Sequence, residues 1–211
     1  MLRLQVYSDV ICPWCLVGKR RLERALHETG LAGQTSLEWL PFELNPDMPE
    51  GGIPRAEYRE RKFGAARSAE LDRAMTETGR QEGIAFAFDR QSRTPSTRAA
   101  HVLIAHAGPT GRQGAFVEAL FRAYFEEGQD IGDRAVLLAV AEGAGLDRDR
   151  AERALDDPQG REAVEAAERR GLQLGIQGVP FFVVDGRWAV SGAQPAEQWV
   201  ELLRSRVADA A

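Results

Sequence analysis

Cysteine, lysine and long apolar runs are all scarce in this sequence. Only two cysteines occur in 211 residues, so no disulfide framework beyond that pair can hold the fold together. No apolar run approaches the roughly 20 residues of a membrane-spanning helix, and we expect no membrane partner. The net charge of −5 argues against nucleic acid as a partner.

The start of the sequence offers no positively charged, apolar leader. An alternating apolar pattern predicts a strand that begins at Met1 or Leu2, which leaves no room for a signal peptide. We therefore expect a cytoplasmic protein, in a compartment that keeps thiols reduced. With 44% hydrophobic residues, the chain can fill the core of one domain, or of one domain with a large insertion.

Both cysteines lie in one short motif, Cys12-Pro13-Trp14-Cys15, between a predicted strand and a predicted helix. Proline lacks an amide donor and has a fixed φ, so Pro13 suits the first turn of the helix. The positive end of the helix dipole then favours a negatively charged sulfur on Cys12. Cys15 lies three residues further on the same helix face, within reach of a disulfide bond. The motif predicts Cys12 as an exposed attacking thiolate and Cys15 as a buried resolving thiol.

Two other interpretations of the cysteine pair are weaker. A structural zinc site needs four ligands, and His27, His101 and His106 show no suitable spacing to the pair, so we expect no metal. Two inert buried thiols would not require a proline at the start of the helix. Thiol redox chemistry is therefore the interpretation that the motif favours.

The periodicity of the chain predicts an α/β fold in which a helical block interrupts a mixed four-stranded sheet. We assign residues 1–52 and 158–211 to the α/β domain and residues 53–157 to an all-helical insertion. Strands are predicted at 2–8, 36–44, 179–184 and 187–191. Helices are predicted at 13–29, 55–63, 65–81, 96–107, 112–126, 133–144, 148–155, 158–174 and 194–207. Thr94 or Ser96, Asp133 and Asp147 are predicted helix caps.

A series of short motifs runs along the whole chain, in order: Ser8-Asp9, Cys12-Pro13-Trp14-Cys15, Gly18-Lys19-Arg20, 41–49, 93–97, Ala100-His101, 130–133, Gly178-Val179-Pro180 and 191–195. This series resembles the thioredoxin superfamily, and within it the DsbA family of thiol–disulfide oxidoreductases, FrnE-like subgroup. The resemblance implies a thioredoxin fold with a helical insertion. It also implies that Val179–Pro180 is a cis peptide against the dithiol, where the Val179 backbone could pair with an extended substrate.

Some residues depart from the better-known relatives. No histidine separates the cysteines, and Val6 stands where thioredoxin-like proteins often carry a buried acid. Phe181 replaces a smaller polar residue that many FrnE-like relatives have after the proline. We therefore expect a reduction potential toward the reducing part of the range of such proteins.

Further site residues are predicted with two interpretations each. Asp9 accepts a proton from Cys15 or orients the loop, and Trp14 borders the substrate groove or packs on the insertion. Phe42 lines a substrate box or belongs to the core. Asn45, Arg93 and Gln194 bind a carboxylate or amide of a peptide or of glutathione, or have a solvated surface role. His101 is expected to be a core histidine.

Three functions remain open from the sequence. The first is a thiol–disulfide oxidoreductase that acts on a disulfide-containing protein, a peptide or a small molecule through a mixed disulfide. The second is a glutathione-dependent isomerase or transferase similar to 2-hydroxychromene-2-carboxylate isomerase, whose relatives carry serine at the position of Cys12. The third is a chaperone without catalysis. No tightly bound cofactor is expected, and glutathione is the candidate reductant or co-substrate.

Overall fold

The computed structural model describes residues 1–209, with side chains up to residue 205. Within this range a four-stranded sheet has the order β2-β1-β5-β6, and two short strands form a second sheet. The strands are β1 (Leu2–Ser8), β2 (Thr35–Pro41), β3 (Ile53–Pro54), β4 (Arg93–Thr94), β5 (Phe181–Val184) and β6 (Trp188–Ser191). The helices are α1 (Pro13–Glu28), α2 (Arg55–Phe63), α3 (Ala65–Gln81), α4 (Arg98–Ala107), α5 (Gln113–Phe121), α6 (Arg134–Gly143), α7 (Arg148–Asp156), α8 (Pro158–Gln173) and α9 (Ala196–Asp209).

Strand β1 lies inside the main sheet, parallel to β2 and antiparallel to β5. Its apolar residues Leu4 and Val6 are buried. The β5–β6 hairpin turns at Asp185 and Gly186, whose positive φ angles of 51° and 67° suit a tight two-residue hairpin turn. The predicted α/β class and mixed four-stranded sheet with a helical insertion are therefore confirmed.

The predicted strand at 179–184 begins only at Phe181, and the starts of β2 and β6 are shifted by one residue. Two differences are larger. The predicted strand at 36–44 ends at Pro41, because β1 ends opposite it at Ser8. The Phe42 amide still donates to the Ser8 carbonyl, but the Leu44 amide donates to the Asp9 carboxylate instead of a strand. The small antiparallel sheet of β3 and β4 was missed, since two residues per strand are too few to show an alternating pattern.

Helix caps were predicted correctly where aspartate precedes the helix. The carboxylate of Asp133 accepts hydrogen bonds at the start of α6, and that of Asp147 does so at the start of α7. The prediction that Thr94 or Ser96 caps α4 is wrong, because Thr97 occupies the cap position and forms no capping bond through its side chain.

The predicted helix at 112–126 is α5 followed by a π-helical turn at Arg122–Glu126. This turn places Tyr124 and Phe125 in the wall of the cavity described below. Such turns within helices occur often at functional sites. The sequence pattern predicted a regular helix over these residues and gave no sign of the π-helical turn.

Helix α5 also covers the outer edge of the main sheet. The side chain of Gln113 accepts a hydrogen bond from the Trp39 amide at 2.9 Å and donates one to the Trp39 carbonyl at 3.1 Å. These are the two bonds that a neighbouring strand would supply.

The proposed division into residues 1–52, 53–157 and 158–211 stays a prediction, and α4 packs against α8 across it. No helix in residues 1–209 is long and apolar enough to cross a membrane.

Gly18 sits in the middle of α1, where glycine weakens a helix. A Cβ at this position would lie 3.0 Å from Pro180 Cγ and 3.3 Å from Phe182 Cζ. We expect Gly18→Ala to lower the free energy of unfolding by about 1–2 kcal/mol, because this overcrowding outweighs the gain in helix propensity. Urea denaturation measures the difference. Gly114→Ala is the control in α5, where nothing lies within 4 Å of the added carbon, and a stabilised Gly18→Ala protein would contradict the expectation.

Candidate active site

The dithiol lies where β1 passes into α1. The Cys12 amide donates to the Asp9 carbonyl at 3.0 Å, and the Cys15 amide donates to the Cys12 carbonyl at 3.0 Å. Cys12 occupies the N-cap of α1 with an extended backbone, and its sulfur forms no capping bond with the helix. Both cysteines are free thiols in the structure. The junction therefore holds both sulfurs at the first turn of the helix, as the motif predicts.

The two thiols differ less in exposure than the sequence suggested. Cys15 is 1% exposed, in agreement with the prediction, but Cys12 is only 5% exposed. The prediction of an exposed Cys12 is wrong, because the backbone of Val179 covers its sulfur: Cys12 Sγ lies 3.6 Å from the Val179 carbonyl oxygen. The Val179–Pro180 peptide bond beside it is cis. Cys12 is instead reached through a cavity whose wall it forms.

Burial raises the pKa of the Cys15 thiol well above its usual value, and the neighbouring Cys12 sulfur raises it further. The Ser8 hydroxyl and the Asp9 backbone amide act in the opposite direction, because both favour the Cys15 thiolate. Burial is the largest of these effects, so Cys15 carries its proton at neutral pH. Any attack by Cys15 therefore requires that this proton be removed first.

Asp9 is 0% exposed and holds the loop around the motif. One carboxylate oxygen accepts from the Leu44 amide at 2.8 Å, and the other accepts from the Ile11 amide at 3.4 Å. The first of these bonds fixes the segment that follows β2 next to the dithiol. This geometry favours the loop-orienting interpretation of Asp9, since its interaction with Cys15 comes from the backbone amide.

A cavity of about 390 Å³ opens beside Cys12. Trp14, 44% exposed, forms its rim, and helices α2 and α3 of the insertion form the opposite side. Its volume lies within the range of small-molecule sites. The apolar part of its lining is Ile11, Pro13, Leu44, Phe63, Leu71, Met75, Phe88 and Phe125.

The polar part of the cavity wall is positively charged. Arg55, Arg59 and Lys62 line it together with a single carboxylate, Asp72. Asp72 accepts from Arg55 at 2.9 Å and from Arg59 at 2.7 Å. Burial lowers the pKa of Arg59, and the neighbouring Arg55 lowers it further. Three cations against one carboxylate leave an excess of positive charge that suits an anionic ligand.

The remaining predicted binding residues do not line this cavity in the described structure, although Trp14 does. Asn45 accepts from the Tyr58 hydroxyl at 2.8 Å and so supports the cavity wall from behind. Arg93 donates to the carbonyl groups of residues 51 and 52, and Gln194 donates to the Ser191 carbonyl. Phe42 is half-buried and donates its amide to the Ser8 carbonyl.

The three cations of the cavity wall were not predicted from the sequence. Their signal was present, because Arg55, Arg59 and Lys62 are spaced four and three residues apart in a helix that was predicted correctly, and such residues share one face. The sequence could not show that this face turns toward the dithiol.

Among the described residues, no group of three or more His, Cys, Asp or Glu side chains is placed to hold a metal ion.

The contrast between the two thiols predicts selective alkylation. Iodoacetamide at neutral pH is expected to modify Cys12, which borders the cavity, and to leave the buried, protonated Cys15 intact. Intact-protein mass spectrometry should find one adduct on the native protein, none on Cys12→Ser, and two on the denatured wild type. Equal modification of both thiols in the native protein would contradict the assignment of the roles.

Comparisons with known proteins agree with this geometry. The family model for the DSBA-like thioredoxin domain matches residues 3–204. The crystal structure of the probable DsbA oxidoreductase SCO1869 from Streptomyces coelicolor superposes with a TM-score of 0.88 at 33% identity, over 97% of this chain and 89% of that one. YwbO from Bacillus subtilis is 28% identical over 90% of each chain.

A more distant structure shares the fold. The cytosolic disulfide reductase DsbM from Pseudomonas aeruginosa, solved with GSH, has a TM-score of 0.65 at 23% identity, over 97% of this chain and 98% of that one. The family match extends over nearly the whole chain and includes the dithiol, the cis peptide beside it and the helical insertion. This chain therefore belongs to the DSBA-like thioredoxin domain family, whose members include thiol–disulfide oxidoreductases.

Proposed function

We propose that this protein is an FrnE-like thiol–disulfide oxidoreductase that reduces small anionic disulfides, among them mixed disulfides of glutathione, in the cytoplasm. The observation that carries the proposal is the position of Cys12. It forms part of the wall of a positively charged cavity, while Cys15 lies buried three residues further along the helix.

The reaction follows from the two thiols. The Cys12 thiolate attacks one sulfur of a substrate disulfide, forms a mixed disulfide and releases the first thiolate. Cys15 then loses its proton and attacks the Cys12 sulfur, which releases the second thiolate and leaves a Cys12–Cys15 disulfide. Two electrons pass from the dithiol to the substrate. Glutathione or a partner reductase would restore the dithiol.

The cavity supports a small, negatively charged substrate. Its volume of about 390 Å³ accommodates a peptide-sized ligand, and its cations face the carboxylates that such a ligand carries. Glutathione fits this description, since it has two carboxylates and a thiol that forms disulfides. That DsbM was solved with GSH is in line with the proposal. In this protein Arg55, Arg59 and Lys62 would bind the carboxylates, with Cys12 next to the sulfur.

Replacement of each cysteine is expected to block a different step of the reaction. With a glutathionylated peptide as substrate, Cys12→Ser should reduce the rate to that of the uncatalysed reaction, because no nucleophile remains. Cys15→Ser should instead accumulate a mixed disulfide on Cys12, since nothing resolves it. Chromatography of the released peptide measures the rate, and mass spectrometry of the protein detects the mixed disulfide.

The same experiment separates the alternative functions. An isomerase or transferase that only activates glutathione would bind it tightly without exchange of thiols. A chaperone would keep its activity when both cysteines are replaced. Activity that survives in Cys12→Ser would exclude the proposed reaction.

Lys62 provides a test of the anionic substrate. Lys62→Met keeps the aliphatic part of the side chain and removes its charge, so KM for the glutathionylated peptide should rise about fivefold, as expected for an exposed ion pair of about 1 kcal/mol. The value of kcat should not change. Arg67→Met is the matched control, because Arg67 pairs with Glu70 on the surface and does not line the cavity. Equal KM values for wild type and Lys62→Met would contradict the role of the charge.

A further inference from the structure

The proposed reaction leaves open where the Cys15 proton goes. Cys15 is 1% exposed and does not line the substrate cavity, so solvent does not reach its thiol from that side. Its burial keeps it protonated. The Asp9 carboxylate is engaged with the amides of Ile11 and Leu44. A route for the proton must therefore start from another polar group next to the sulfur.

Ser8 is that group. Its hydroxyl faces Cys15 closely enough to favour the thiolate, although Ser8 Oγ forms no hydrogen bond of good geometry. A second buried polar atom without a hydrogen-bond partner is His101 Nε2. Ser8 and His101 line the same small cavity, together with Val10, Trp39, Leu40, Ile104 and Val117. Unpartnered buried polar atoms that share a cavity are the usual setting of an internal water.

The size of this small cavity suits one molecule of water. It has a volume of about 10 Å³, which is about the space that the centre of a single water requires. The water would accept from Ser8 and donate to His101, which satisfies both atoms. Its other neighbours are mostly apolar, so the hydrogen bonds are directed along one line from the thiol to the imidazole.

On the side away from Ser8, His101 borders a second cavity. It lines a cavity of about 610 Å³ between β2 and helices α4 and α8. This larger cavity includes the exposed residues Glu38 and Pro109 in its wall, so it opens to solvent. His101 itself is only 2% exposed and lines both cavities together with Trp39, Leu40 and Ile104. Of these four side chains, the imidazole is the one that can accept a proton.

Charged groups face His101 from several elements. His101 Nε2 lies 3.6 Å from Asp9 Oδ1, so the Asp9 carboxylate faces the imidazole. Glu43 interacts with His101 from the segment after β2, and Glu168 of α8 lies beside Glu43. The cations that face this region are Arg98 of α4, paired with Glu43, and Arg3 and Arg170, which line the larger cavity with Glu38.

We propose that Ser8, one bound water and His101 form a proton path from Cys15 to solvent, with His101 as the base. This inference rests on the proposed function. In the resolving step the Cys15 Sγ–H bond breaks, and the proton passes through the Ser8 hydroxyl and the water to His101. The Cys15 sulfur forms its bond to Cys12 Sγ while the bond between Cys12 and the substrate sulfur breaks. The substrate leaves as a thiolate, and His101 releases its proton through the larger cavity.

The test separates the two chemical steps by stopped flow. The aromatic disulfide 5,5′-dithiobis(2-nitrobenzoate) releases one coloured thiolate when Cys12 attacks it and a second when Cys15 resolves the mixed disulfide. We expect Ser8→Ala and His101→Gln to slow the second phase about 10-fold or more at neutral pH, because general bases contribute at least this much. The first phase should stay within about twofold of the wild type. Cys15→Ser shows the first phase alone.

The pH profile distinguishes proton transfer from a structural defect. In alkaline buffer a larger fraction of Cys15 is already deprotonated before the resolving step, so this step depends less on a base and the second phase of both variants should approach the wild-type rate. His106→Gln, on the same helix and outside both cavities, should behave as wild type at every pH.

Each outcome is decisive. Variants that resolve as fast as wild type at neutral pH, or that remain equally slow in alkali, would overturn the proton path and leave the proposed function intact. Absence of the first phase in the wild type would overturn the proposed function and the path with it.

Discussion

The structure of the site depends on the buried carboxylate of Asp9. It accepts hydrogen bonds from the Leu44 and Ile11 amides, while its own backbone carbonyl accepts from Cys12. Three separate parts of the chain thus converge on one residue: the end of β1, the start of α1 and the segment after β2. A buried charge is costly unless it is paired or hydrogen-bonded, and here the two backbone amides supply those hydrogen bonds. The position of the sulfurs follows from this local arrangement.

The two thiols have different surroundings because of how the chain packs around them, and the motif alone does not determine this. Both sulfurs lie at the first turn of α1, but only Cys12 borders the cavity. Cys15 faces the core, where burial holds it in the protonated form. In the proposed reaction, Cys15 would stay inactive until a mixed disulfide brings an electrophilic sulfur next to it. Premature reactions of Cys15 with other disulfides are thereby avoided.

The sequence predicted most of the fold and the centre of the site, for identifiable reasons. The β1–α1 junction was clear because alternation, proline and the cysteine spacing agree within a few residues. The ends of α2 and α3 were predicted correctly, since Gly64 interrupts the helical pattern between them. Exposure of Cys12 was mispredicted because Val179, 167 residues further along the chain, covers it. Arg93 and Asn45 were given a binding or a surface role from residue type alone. The fold places Arg93 against backbone carbonyl groups and Asp130, and Asn45 against Tyr58, and the sequence could not show these partners.

The origin of the cavity wall has a consequence for how such a protein can diversify. The sulfurs belong to the β1–α1 junction, whereas the cations that face an incoming molecule belong to α2, a separate segment with its own packing against α3. Under the proposed function, substitutions in α2 would change which molecules enter while the residues of the dithiol stay in place. Reactivity and selectivity would then be encoded in different stretches of the gene.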